Sequence, residues 1–308
     1  MPPISHYWPM LNTDTIKITP EILRLVSGID EFKGTWRALE KHTTALQMIG
    51  DVASHGQSLQ SMLGPLQNIP LNEKILCKLQ SVLSGKKGAA HYRTDHFPMV
   101  VQQSEKIIGS LDSASPADIE KLMPKLLDWL NGAMKKGDVH PLIITGLFMV
   151  VFLQILPFEK GNQKLARFLV LLILLKQGYD YMPFATLDDI WDERVKDYYK
   201  ALSATQESVE EGAPDWTPWL TFFLGGLAAQ KDKLERALDA KAKDVSSLPA
   251  LSGKVMRLFE KHKRLQMNDI VKKTKGKRST LKLRLAELVD DGYLRRHGQA
   301  RSTWYSRV

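Results

Sequence analysis

The chain has 308 residues, 44% of them hydrophobic and 25% charged, a globular composition that excludes global disorder and has room for two domains, or one large domain and a small module. The single cysteine, Cys77, excludes an internal disulfide and a cysteine-based zinc site, and points to a reducing, cytoplasmic compartment. The net charge of +9 is concentrated at one end: Leu251–Val308 holds 16 Lys and Arg against 5 Asp and Glu, while the residues before it hold 27 against 29, so a polyanionic partner is expected at the C-terminal end.

The N-terminal MPPISHYWPM lacks the basic start and apolar core of a signal peptide, and residues 1–18 read as an irregular arm. Thr19-Pro20-Glu21 starts a helix with Ile22, Leu25, Val26, Ile29 and Phe32 on one face. Gly34 interrupts it, and a second helix is predicted over about 36–49. Leu71 to Leu83 is helical in pattern. His91 to Val101, rich in Tyr, Thr, Phe and Val, is the candidate β-hairpin in a helical chain. Ser115-Pro116 opens a helix that should stop at Gly132. Long helices are predicted over about 140–155, 162–178 and 188–207, and another starts at Trp216.

Leu142–Phe158 is the longest apolar stretch, but Thr145, Gly146, Gln154 and Pro157 break it and it falls short of the roughly 20 residues of a membrane span. A buried core helix and no membrane contact are expected. The eight histidines show no metal-ligand spacing.

LPFEKGNQKLARFL, Leu156 to Leu169, joins two of these apolar helices. Pro157 ends the first helix and Gly161 permits an unusual backbone angle. Asn162 is expected as N-cap of the next helix. The N–H groups of that helix start, with Lys164 and Arg167, form an anion pocket that fits a phosphate.

The stretch resembles the motif of the Fic family, H-P-F-x-[D/E]-G-N-G-R-x-x-R. Pro157, Phe158, Gly161, Asn162 and Arg167 match it. IDEFKGTW at 29–36, His140-Pro141-Leu142-Ile143, Tyr198-Tyr199-Lys200-Ala201-Leu202 and Trp216-x-x-Trp219-Leu220-x-Phe222-Phe223 resemble the family's flanking helices. The resemblance spans roughly residues 20–235. It implies a mainly α fold with a β-hairpin flap, and transfer of AMP from ATP to a hydroxyl of a target protein. In the family the motif His is the general base, the acidic residue binds Mg²⁺, the Asn and Arg residues hold phosphates, and the flap docks the target. Arg93 and Val100 are the flap residues this implies here.

The chain departs from that pattern where the chemistry lies. Leu156 stands at the His position and has no proton acceptor, which removes a factor of about 10²–10⁴ in rate. Lys160 stands at the metal-carboxylate position, so Mg²⁺ is not expected; its ammonium can neutralise phosphate only as a point charge. Glu159 is one residue off. Gln163 replaces the second Gly, and Lys164 replaces the Arg and loses its bidentate fork. The implied site is Gly161, Asn162, Gln163, Lys164 and Arg167, with ATP as its ligand and no catalytic residue. Many relatives carry an inhibitory [S/T]-x-x-x-E-[G/N] motif; the corresponding segment is Ile49–Ser58, with Gly56 at the Glu position.

The basic C-terminal end is patterned for folding. A helix over Leu248–His262, a short one at Met267–Val271, a third over Ser279–Asp291 and two strands at Gly292–Arg296 and Thr303–Tyr305 read as a winged helix-turn-helix. Lys275, Lys277, Arg278, Lys282 and Arg284 lie on its recognition helix and the turn before it, and Arg295, Arg296 and Arg301 on the wing. Phosphate contacts, with Arg284 or Arg278 on base edges, would bind DNA. The domains read as 1–110, helices and flap; 111–235, Fic-like core; 236–250, linker; and 251–308, winged helix. A catalytically impaired DNA-binding regulator is the leading reading. The others are an adenylyltransferase with a substitute base and a protein-interaction scaffold, and the family resemblance adds a homodimer.

Overall fold

Proline, glycine and capping residues set where the helices begin and end. A computed structural model describes residues 16–40, 63–66, 69–85, 88, 90–185, 187–246, 248–298 and 302–307. These fall into two units, one within Met1–Lys33 and Leu59–Lys231, the other within Gly34–Ser58 and Asp232–Val308. The segment 49–58, expected to match the inhibitory motif, lies outside the described residues.

In the first unit, α1 (Pro20–Glu40) starts where Thr19 Oγ1 accepts from Ile22 N at 3.2 Å. It runs through Gly34, which does not interrupt it. α2 (Glu73–Ser84) is capped by Asn72, whose side chain accepts from Ile75 N, and stops at Gly85 in the left-handed region. The hairpin lies later than expected: β1 (Met99–Gln103) pairs antiparallel with β2 (Lys106–Leu111), Met99 opposite Leu111. Pro98 has no N–H to give a ladder, so pairing begins after it.

α3 (Pro116–Lys136) keeps Gly132 inside; Gly137, at φ 72°, is the stop. α4 (Pro141–Ile155) is buried on every side from Leu142 onward, as a helix at the centre of a core must be. Its neighbours are α3 and α5 (Asn162–Lys176). The helix expected over 188–207 splits at Arg194 into α6 (Asp188–Glu193) and α7 (Val195–Glu210). α8 (Thr217–Ser246) closes on α4 through Trp219, whose Nε1 donates to Gly146 O at 2.7 Å. Trp191, Tyr198, Trp219, Phe222 and Phe223 form an aromatic layer between α6, α7 and α8. Among the described residues no helix is long and apolar enough to cross a membrane.

The second unit carries α9 (Ala250–Leu258), β3 (Leu265–Gln266), α10 (Met267–Thr274), α11 (Arg278–Asp290), β4 (Leu294–His297) and β5 (Trp304–Arg307). The strands form an antiparallel sheet in the order β3-β5-β4. Val255, Met256, Phe259, Ile270, Leu281, Leu285, Leu288, Leu294 and Tyr305 make its core. The two-residue β3 was absent from the sequence reading, because two residues show no alternation.

Candidate functional site

The turn between α4 and α5 is built from unusual backbone. Leu156 ends α4 at φ 51°, ψ 60°, with its N–H on Phe152 O at 3.0 Å. That left-handed conformation costs a side-chain-bearing residue about 1–2 kcal/mol. Arg93 holds it in place. Only 5% exposed, its guanidinium donates to Leu156 O at 2.6 Å, Ala114 O at 2.5 Å, Asp95 O at 2.6 Å, Ser113 Oγ at 3.0 Å and Ile155 O at 3.3 Å. Its own N–H donates to Pro157 O at 2.9 Å. Burial pushes the guanidinium pKa down, and the Asp112 charge opposes that. Arg93 therefore clamps the turn from below, ahead of the hairpin, and is not a residue of the flap as expected.

Gly161 closes the turn at φ 80° and takes the N-cap position of α5, where it supplies no side-chain bond. Asn162, expected as the cap, is the first helical residue instead. Its amide is committed to the turn: Oδ1 accepts from Phe158 N at 2.9 Å and Nδ2 donates to Phe158 O at 2.6 Å. Gln80 of α2, 5% exposed, presses on the other side, with Nε2 donating to Lys160 O at 2.6 Å. A Cβ on Gly161 would lie 3.1 Å from that nitrogen, so both the angle and the space call for glycine.

Above this turn is a cleft of about 980 Å³. Leu156, Lys160, Lys164 and Arg167 line it from below, Met99 and Val100 from the hairpin, and Asp192 from α6. Lys164 Nζ lies 3.5 Å from Leu83 O, at the C-terminal end of α2, where a cation complements the helix dipole. Arg167 Nη2 donates to Asp192 Oδ1 at 3.1 Å, and its guanidinium stands 5.6 Å from the Trp191 ring centre. Gln163 Nε2 donates to Val100 O at 3.3 Å, and Gln103 Nε2 to Asp192 O at 3.4 Å. Leu156, 7% exposed, contributes only carbon. The site can therefore hold an anion against two lysines, an arginine and a helix start. Among the described residues, no group of three or more His, Cys, Asp or Glu could hold a metal ion.

The expected residues Leu156, Lys160, Gly161, Asn162, Gln163, Lys164 and Arg167 all meet at this cleft, and so does Val100. The sequence reading missed Gln80 and Asp192. Gln80 had a signal: with Leu76 and Leu79 it lies on the buried face of α2, where a polar residue needs a reason. Asp192 had none, being one acid in the charged run DDIWDE.

In the second unit, Lys275 stands at φ 55° after α10 and Lys277 precedes α11. Arg278 Nη1 donates to Asn268 Oδ1 at 2.7 Å, and Arg284 Nη1 to Glu287 Oε2 at 2.7 Å. Lys282, Arg295 and Arg296 are exposed. Arg301 lies outside the described residues. On β4 and β5, His297 stacks on Trp304 with ring centres 3.9 Å apart.

The sequence model of the Fic/DOC family matches residues 70–174. A Fic family protein from Desulfovibrio desulfuricans G20 superposes with a TM-score of 0.55 at 19% identity, over 95% of this chain and 97% of that one; the two share a fold. A Fic domain containing signaling protein from Bacteroides thetaiotaomicron VPI-5482 gives 0.47 at 22% identity, over 66% and 72% of the two chains. Fic-1 from C. elegans gives 0.47 at 15%, over 72% and 73%.

Proposed function

The chain carries a Fic/DOC family domain over residues 70–174, and we propose that this domain keeps the family's phosphate-binding turn without its transfer chemistry, while the basic C-terminal unit binds DNA. The chain would then act as a regulator whose Fic domain senses a nucleotide. The observation that carries the first part is Leu156. It keeps a left-handed backbone and borders the cleft, yet it brings no proton acceptor to a hydroxyl there.

The charges at the turn support the same reading. Mg²⁺ needs oxygen ligands, usually carboxylate. Lys160 sits where the family has its carboxylate, and Glu159 beside it is exposed and single. The residues do not fit the ion. Lys160, Lys164 and Arg167 carry the positive charge that a polyphosphate would otherwise take from a metal. The Arg167–Asp192 pair is exposed on the acid side, so a phosphate can displace Asp192 at small cost.

The C-terminal unit is read as a winged helix-turn-helix, with α11 as recognition helix and β4–β5 as wing. The support is its helix–helix–helix–hairpin order and its +11 charge.

Calorimetric titration of the full chain with ATP, with and without Mg²⁺, tests the Fic part. The expected result is binding that does not need the metal and is lost in Arg167→Ala. No binding at millimolar ATP would overturn the sensor reading. Transfer of labelled AMP from ATP to any protein would overturn the loss of chemistry and favour an enzyme with a substitute base.

A further inference from the structure

The basic face of the second unit holds one residue that charge does not explain. α11 buries Leu281, Leu285 and Leu288 on one side. At 100° per residue, Leu283 falls on the opposite side, and it is 58% exposed. Its neighbours on that outward stripe are Ser279, one turn earlier, and Ala286, both exposed. Lys282, also exposed, flanks the stripe.

The two arginines first expected to read bases are engaged within the protein. Arg278 is bonded to Asn268. Arg284 is bonded to Glu287, and so neutralises a carboxylate that would repel phosphates. The outward stripe of α11 from Ser279 to Ala286 thus offers a hydroxyl, an isobutyl group and a small side chain, with Lys282 at its edge.

A protein partner would be expected to bury a larger apolar patch than one leucine. Duplex DNA needs less. The surrounding charge suits its phosphates, and its major groove has one apolar group per A·T pair, the thymine C5-methyl. Building on the DNA-binding reading above, we propose that Leu283 is a specificity-determining residue that packs on a thymine methyl in the major groove. Ser279 lies one turn towards the helix start, beside the neighbouring base or its phosphate.

The test starts from a site selected from random duplex DNA with the full-length protein. Each thymine is then replaced, one at a time, by deoxyuridine, which removes only the methyl group. The expected result is one position where the replacement weakens wild-type binding about fivefold, the scale of one buried methyl group. Leu283→Ala should bind the thymine site about as weakly and no longer distinguish the two bases there. Lys282→Ala should weaken binding to both equally. Leu283 is exposed, so the alanine variant folds as the parent does. A wild-type protein that binds duplex DNA but is indifferent to every replacement overturns the inference. So does a selected site without thymine, or a Leu283→Ala protein that keeps the difference. Absence of salt-dependent binding to any duplex instead overturns the DNA-binding reading beneath it.

Discussion

Leu156 occupies a backbone conformation that leucine does not favour. Histidine, asparagine and aspartate enter the left-handed region more readily than other side chains. The clamp from Arg93 and the bonds from Asn162 to Phe158 do not depend on the Leu156 side chain. The double variant Leu156→His, Lys160→Asp should therefore fold with a melting temperature within a few degrees of the parent, and it should gain labelled AMP transfer from ATP in Mg²⁺. A stable variant without transfer would count against the alignment of this turn. At this scale the sequence was informative about the turn itself, because proline, glycine and asparagine act locally. It was not informative about Arg93. Nothing in its neighbours shows that its guanidinium will be shared among the Ser113 hydroxyl and four backbone carbonyls, as far away as residue 156.

At the scale of elements, the hairpin is fixed by close packing on α7. A methyl group on Gly109 of β2 would land on the ring of Tyr199. Gly109→Ala should destabilise the protein by about 1–3 kcal/mol, the usual range for overpacking, and most of that loss should vanish in a Tyr199→Ala background. Denaturant unfolding of the four proteins of that cycle measures the coupling; independent costs would show that the ring does not set the hairpin's position. The start of α8 supplies a pH effect. Asp215 Oδ1 accepts from Thr217 N at 3.1 Å, and the Thr217 side chain first, with this backbone bond beside it, holds the carboxyl below its usual value against the opposing effect of burial. A lowered folded-state value means the stabilisation is complete above the unfolded value near 4 and is lost as pH falls through the folded one. Asp215→Ala should thus cost about 1 kcal/mol at pH 7, with the difference from wild type narrowing as pH falls below about 4 in thermal melts. Most helix boundaries could be read from sequence. The misreadings share a cause: Gly34 and Gly132 looked like stops, but both are exposed positions inside longer helices, where a glycine costs only roughly 1 kcal/mol.

Over the whole molecule, the charge is divided as sharply as the chain. Residues up to 250 are nearly neutral, and the last 58 carry the excess. DNA affinity should therefore fall steeply with salt, and Lys282→Ala should lower the slope of log K against log salt by about one. A flat salt dependence would remove the basis for a polyanionic partner. The Fic fold could be read from one loop and its flanking helices, because the proline and glycine that shape the turn and the apolar runs on either side of it are written locally in the sequence. The cleft's far wall could not: Asp192 meets Arg167 only because α6 folds back over α5, a contact that local pattern does not encode. The His297–Trp304 stack adds a practical property. Among the described tryptophans, Trp36, Trp191, Trp216 and Trp219 are buried and Trp129 is half-buried on α3, while Trp304 lies against an imidazole beside Arg295 and Arg296 on the paired strand. An indole in ring contact with imidazole changes its emission when that contact loosens or tightens. Trp304 is therefore an optical probe built into the surface proposed to bind DNA, and titration with a duplex should change its emission if that surface is occupied.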